Sequence, residues 1–288
     1  MRYKFLKPSN RVIPFNSHQI QQLSIISLLA IFVSIAFLIT SQNKKLVYNP
    51  NDYIILRKLE RNFESLRHTQ GLHFLNSTHL VESCGQYQNS EIHYINLNQL
   101  TTISQRVILD DLYQGQGVDV IDGQVYQLTW KEHMIFLRDV ETLEVLENRK
   151  LNIDFQESLG ISHSYKENNT LEIYITNGTD KVLILDQELV LKQIIQVRFY
   201  NGSSVDRLSE IEYVNGILYA STNLNPIILA INLTEGYVKN YYDFSQLIDF
   251  SFEKDLSNCI CGIAYQPEQD IFWITGKDWP FFWEVELN

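Results

Sequence analysis

Past residue 53 the apolar residues fall into short runs rich in Val, Ile, Tyr and Phe, each closed by turn-forming residues. The runs come in pairs. Residues 80–84 (LVESC) precede IHYINL, 125–130 (VYQLTW) precede MIFLRD, and 172–177 (EIYITN) precede KVLILD. Residues 218–223 (LYASTN) precede IILAIN, and 271–276 (IFWITG) precede FFWEVE. The leading runs start at 80, 125, 172, 218 and 271, spaced 45, 47, 46 and 53. Most units also carry an earlier run: GLHFLN, GVDVID, GISHSY, EIEYVNG and GIAYQP. Asp122-Gly123, Asn177-Gly178, Asn215-Gly216 and Glu235-Gly236 mark turns between them. Five units of about 45 residues predict an all-β, five-bladed β-propeller of four-stranded blades over residues 53–288. Residues 53–61 (YIILRKLER) form a surplus strand, expected to pair with the last blade and close the ring. A β-sandwich is the alternative, and the fivefold period argues against it.

The N-terminal part has a different pattern. Residues 23–39 (LSIISLLAIFVSIAFLI) hold no charge, and with flanks the run covers residues 20–40, long enough for one transmembrane helix. No small-x-small cleavage site follows, and the polar lead of residues 1–19 is long for a cleaved signal. Arg2, Lys4, Lys7 and Arg11 precede the first acid, Asp52, which predicts a cytosolic basic tail. The expected product is a single-pass type II membrane protein: anchor at 20–40, polar stalk at 41–52, propeller in the secretory lumen or outside. Sequons at Asn76, Asn168, Asn177, Asn201 and Asn232 lie on that side and predict a glycoprotein.

Charge then narrows the partners. The chain's net charge is −11, and all the excess is acidic beyond the tail, so a nucleic-acid partner is set aside. Three cysteines, Cys84, Cys259 and Cys261, are too few for a disulfide scaffold. Cys259-x-Cys261 lacks a second ligand pair, so no metal and no cofactor are expected and both read as small apolar strand residues. Phosphate-loop, H-E-x-x-H and G-x-S-x-G motifs do not occur.

Several motifs resemble the plant and bacterial glutaminyl-peptide cyclotransferase (glutamine cyclotransferase) family. His68-Thr69-Gln70-Gly71-Leu72 is similar to its aromatic-T-Q-G-L opening, and Glu82-Ser83-Cys84-Gly85 to its E-S-T-G. Tyr126-Gln127-Leu128-Thr129-Trp130 matches Y-Q-L-T-W throughout, and residues 210–216 (EIEYVNG) resemble E-L-E-Y-x-x-G. Gly262-Ile263-Ala264-Tyr265 and residues 274–280 (ITGKDWP) match G-I-A-Y and V-T-G-K-x-W-P. The order and spacing hold from about residue 53 to the C-terminus. The resemblance implies a propeller with its site at the central channel. It implies conversion of an N-terminal glutamine of a peptide to pyroglutamate, with release of ammonia and without a catalytic metal.

That chemistry needs a proton carrier, donors for the developing oxyanion and an apolar pocket. The resemblance carries Gln70 and Lys277 over as polar site residues and Trp130 as a pocket wall. Elsewhere the residues depart. The family's catalytic Glu is Gln116 here, and the aromatic before it is Gln114. Wall or contact positions hold His68, Leu159, Ser209, Asn223 and Cys261. An amide keeps the size of Glu but does not shuttle protons near neutral pH. Two readings therefore stand: a cyclotransferase with a rearranged site, or a non-catalytic propeller that binds peptide N-termini or, through Trp279, Trp283 and its tyrosines, glycans. In the first, His68 is the replacement base. Glu157 lies near the same motifs, and Glu210 and Glu212 are read as loop braces.

Overall fold

The computed structural model describes residues 50–61, 68–99, 103–223, 225–247 and 259–288. Among these residues no helix is long and apolar enough to cross a membrane, and the expected tail, anchor and most of the stalk lie outside them.

Among the described residues, twenty strands form five antiparallel sheets of four. The first blade holds β2 (Thr69–Asn76), β3 (His79–Cys84), β4 (Glu91–Asn96) and β5 (Ile103–Ile108). The second holds β6 (Gly115–Ile121), β7 (Gln124–Thr129), β8 (Met134–Asp139) and β9 (Val145–Lys150). The third holds β10 (Ile161–Tyr165), β11 (Leu171–Thr176), β12 (Lys181–Leu185) and β13 (Leu191–Gln196). The fourth holds β14 (Leu208–Val214), β15 (Ile217–Thr222), β16 (Asn225–Asn232) and β17 (Tyr237–Asp243). The fifth joins β18 (Ile260–Gln266), β19 (Ile271–Gly276) and β20 (Phe281–Leu287) to β1 (Tyr53–Glu60), the surplus strand, which pairs antiparallel with β20 from Tyr53↔Leu287 to Glu60↔Phe281. The expected propeller and its closure are thus both present. Asp122-Gly123 and Asn215-Gly216 have positive φ at both residues, as two-residue type I′ hairpins require.

Each blade is graded from inside to outside. The first three strands are largely buried, so they read as nearly continuous apolar runs, whereas β9 and β13 are mostly exposed and carry charged or amide residues. The apolar core is divided into five clusters, each spanning the seam between neighbouring blades. Leu128, Ile135 and Leu137 of the second blade meet Ile173, Leu183 and Leu185 of the third, for example. A cluster at the closing seam joins Leu72, Leu80 and Ile95 to Trp273 and Phe282. Every blade therefore needs both neighbours to bury its faces, at roughly 1.5–3 kcal/mol for each large apolar side chain.

The sequons have a structural reason to exist. Asn76 accepts from the Thr78 amide at 2.9 Å and its hydroxyl at 2.8 Å. Asn201 does the same with Ser203. These are side-chain-closed turns, the local chemistry that favours Asn followed two residues later by Ser or Thr. Asn76, Asn168 and Asn201 are exposed.

Candidate functional site

The five inner strands β2, β6, β10, β14 and β18 neighbour one another in a closed cycle and share one local sequence pattern. Gly71-Leu72, Gly117-Val118, Gly160-Ile161, Glu210-Ile211 and Gly262-Ile263 occupy equivalent positions. The five aliphatic residues are each at most 1% exposed. The glycines let the strands touch. A Cβ on Gly71 would lie 2.7 Å from the Gly117 Cα, one on Gly117 2.9 Å from the Gly160 Cα, and one on Gly160 2.9 Å from the Glu210 Cα.

Just before that position every inner strand carries an extra residue. The pairing skips from Thr69↔Cys84 to Gly71↔Ser83, from Gly115↔Thr129 to Val118↔Gln127, from Leu208↔Thr222 to Ile211↔Ala220 and from Ile260↔Gly276 to Gly262↔Thr275. In the third blade Leu159 and Gly160 both bond Thr176. A β-bulge takes the extra residue out of the pleat and re-aims its side chain. The bulged positions hold Gln70, Gln116, Leu159, Ser209 and Cys261, all buried, at one end of the central axis. Gln70, Gln116, Leu159 and Ser209 come from the predicted site, and Cys261 completes their ring.

A second ring surrounds them at the ends of the next strands. The carbonyls of His68, Gln114 and Arg207 accept the N–H groups of Gly85, Trp130 and Asn223 at 2.8–2.9 Å. Trp130, Gln114, Asn223 and Lys277 are half-buried. The Trp130 ring carries the Lys131 ammonium 3.8 Å from its centroid and leans on Tyr87. Lys277 follows β19, and its charge favours the Cys261 thiolate while that of Glu210 opposes it. Burial, reinforced by Cys259, pushes that thiol well up, so it stays protonated.

The His68 imidazole pairs with Asp278. Its Nδ1 lies 3.0 Å from Asp278 Oδ2, and Gln86 Nε2 is 3.3 Å from the same nitrogen. The imidazole holds the Asp278 carboxyl below its ordinary range. Asp278 was missed in the sequence because 210 residues separate it from His68.

Two groups of buried charges lie next to the rings. Glu210 and Glu212 sit within β14 rather than bracing loops. Glu210 Oε1 accepts the Leu72 N–H at 3.3 Å, and among the described residues Oε2 has no hydrogen-bond partner. Burial raises the Glu210 carboxyl well above the usual range. Further along the axis, His73 Nδ1 is 3.4 Å from both Asp119 and Glu212, and His163 Nδ1 is 2.7 Å from Asp119. Burial would lower His73, but Glu212 and Asp119 outweigh it and raise it to about 9. The other group, in the first blade, joins Arg61, Glu82, His93, Glu91 and Arg106. Glu82, Cys84 and His93 bring ligand atoms within 4.8 Å of one another. Arg61 Nη2 already donates to both Glu82 oxygens, which suits an ion pair better than a metal.

Comparison with known proteins agrees with this fold. The sequence profile of the glutamine cyclotransferase family matches residues 29–287. A glutaminyl-peptide cyclotransferase of Arabidopsis thaliana is 23% identical over 225 residues, covering 76% of this chain and 67% of that protein. The crystal structure of Myxococcus xanthus glutaminyl cyclase superposes with a TM-score of 0.68 at 22% identity, over 82% of this chain and 96% of the other.

Proposed function

The chain belongs to the glutamine cyclotransferase family, and we propose that it acts on peptides with N-terminal glutamine, closing that residue to pyroglutamate with loss of ammonia. The observation that carries this reading is the ring of bulged inner-strand residues. It gathers Gln70, Gln116 and Ser209, with Lys277 nearby, at one end of the axis.

In this reading the α-amine attacks the side-chain carboxamide carbon, and the carbonyl oxygen gains negative charge. Gln70, Gln116 and Lys277 have N–H groups to offer that oxygen. Leu159 and Trp130 supply apolar wall that holds the folded side chain in attack geometry. Ser209 and Asn223 contact the peptide's first amide groups. A preparation of the full-length chain is given a peptide with N-terminal glutamine, and ammonia release is followed beside the peptide's mass. Loss of one ammonia per peptide is the expected result.

One observation favours a second reading. Gln116 is buried in the ring at the place where a carboxylate would carry the proton, and an amide does not. A propeller that binds peptide N-termini without turning them over fits that residue. Gln116→Glu separates the two: activity that appears only in the variant supports the binding role. Residues 20–40 we read as the membrane anchor, supported by the uncharged run and the basic lead. Full-length chain recovered in the soluble fraction after an alkaline carbonate wash would overturn that.

A further inference from the structure

The cyclisation must move one proton from the attacking amine to the departing ammonia, so the site needs a group that both gives and takes a proton. None of the bulged residues is suited to that. Gln70 and Gln116 are amides, Leu159 is apolar, Ser209 is a hydroxyl and the Cys261 thiol is held protonated. His68, the base expected from the sequence, stands with Asp278 in a cavity that none of the bulged residues lines.

The level one residue further along each inner strand is different. Four strands place Gly71, Gly117, Gly160 and Gly262 there, and the fourth blade places Glu210. Its backbone is fixed, the Glu210 N–H donating to Ser221 Oγ at 3.1 Å. Its side chain leaves its own blade. Oε1 accepts the Leu72 N–H of β2 at 3.3 Å, although β14 is flanked by β10 and β18, and β2 lies beyond β18. In the first blade β2 pairs on one edge with β3, and its other edge is turned to the axis. The Glu210 side chain therefore spans the space enclosed by the inner strands, where the four glycines leave room for it. Every bulged residue stands directly before this level, so the carboxyl forms the floor of their ring. Two observations tie it to that ring. Its charge acts on the Cys261 thiol. Its Oε2 is buried and has no hydrogen-bond partner among the described residues, which is costly unless something bound supplies one.

We propose that Glu210 is the proton carrier of this site, working from the floor of the bulged ring. The inference rests on the cyclotransferase reading. Burial raises the carboxyl well above its ordinary range, and Glu212 and Asp119 add to that against the Leu72 N–H, so the protonated acid is favoured as the resting form. The titratable groups around it are Cys261 of β18 on the ring side and, further along the axis, Glu212, Asp119 of β6, His73 of β2 and His163 of β10.

The step balances without a co-reactant. The amine nitrogen bonds to the carboxamide carbon as the C=O electrons move to oxygen. The Glu210 carboxyl gives its proton to the carboxamide NH₂ group, directly or through one water. The C–N bond breaks, the C=O re-forms and ammonia leaves. The Glu210 carboxylate takes the proton that the attacking nitrogen still carries in excess, and ends as the acid it began as.

The test measures ammonia release from a peptide with N-terminal glutamine by the full-length chain, against pH, for the unmodified protein, Glu210→Gln and the double variant Glu210→Gln with Gln116→Glu. The amide of Glu210→Gln can still accept the Leu72 N–H but cannot carry a proton. The expected result is turnover by the unmodified protein and a loss of about 10²–10⁴ in kcat for Glu210→Gln. KM should stay within a few-fold and the thermal midpoint should not fall. Turnover of the unmodified protein should decline on the alkaline side as the acid ionises, and the residual turnover of Glu210→Gln should lack that limb. The double variant, which returns a carboxyl to the ring, should recover activity. Undiminished turnover in Glu210→Gln, beside an active unmodified protein, would overturn the role of Glu210 alone. So would a loss that comes with a lowered thermal midpoint and is not recovered in the double variant, since that marks a structural residue. Silence from the unmodified protein would overturn the cyclotransferase reading, and the role of Glu210 with it.

Discussion

Glu82→Gln tests whether the first blade's buried charges hold the ring together. Glu82 is fully buried on β3, and both its oxygens accept from Arg61 Nη2, at 2.8 and 2.7 Å. His93 Nε2 lies 2.9 Å away, and the Thr69 hydroxyl adds a further bond. Arg61 follows β1, so this pair ties the strand that completes the fifth blade to the first blade. Burial alone would raise the Glu82 carboxyl, but Arg61 and His93 outweigh it and lower it to about 2. Against an ordinary value of 4.5, that shift corresponds to about 3 kcal/mol, at roughly 1.4 kcal/mol per pH unit. Leaving a buried cation opposite a neutral amide independently costs about 3–5 kcal/mol. In urea, with a slope near 3 kcal/mol/M for a domain of this size, the midpoint at pH 7 should fall by roughly 1–1.5 M. The sign in acid follows from the lowered value. The carboxylate's contribution is complete above 4.5 and disappears as pH falls through about 2. The gap between wild type and variant should therefore close over that window. An unchanged midpoint at pH 7, or a gap that persists to pH 2, would refute the argument.

Two further outcomes follow from the axis. His73 is raised to about 9, so its contribution is complete below 6.5 and is lost as pH rises through 9. Unfolding midpoints measured between pH 6 and 10 should fall on the alkaline side, and His73→Gln should flatten that limb. Gly117→Ala would place a Cβ 2.8 Å from the Ile161 nitrogen and 2.9 Å from the Gly160 Cα. Both are backbone atoms that cannot swing aside, so a loss of at least about 1–3 kcal/mol is expected by thermal unfolding. Wild-type stability in that variant would mean the inner strands are less tightly apposed.

The fold was legible because each blade repeats its pattern in residues that have no alternative use. Leu72, Val118, Ile161, Ile211 and Ile263 are core residues at one register, and four of the five are preceded by glycine at the point of closest approach. The surplus strand at residues 53–61 was legible for a different reason, since an apolar run with no partner in its own unit must find one elsewhere. The site was only half legible. Gln70 and Gln116 stand out beside their glycines, but which way a side chain points depends on the bulge, and a bulge leaves no period in the sequence. Asp278 was hidden for another reason, sequence distance. Its partner His68 lies 210 residues away in the chain.

The pairing of β1 with β20 also dictates an order of events. Blades one to four are local hairpins that can form as the chain emerges, whereas the last ladder joins Tyr53 to Leu287 across almost the whole propeller. Contacts of such long sequence separation form slowly, because the loop entropy is lost before any contact compensates it. Until then the chain is an open arc with a bare strand at each end. Two such arcs can close on each other as readily as on themselves, β1 of one completing the fifth blade of the other. The device that seals the monomer is therefore also the route by which two copies would exchange strands, and rapid, dilute refolding should favour the closed single ring.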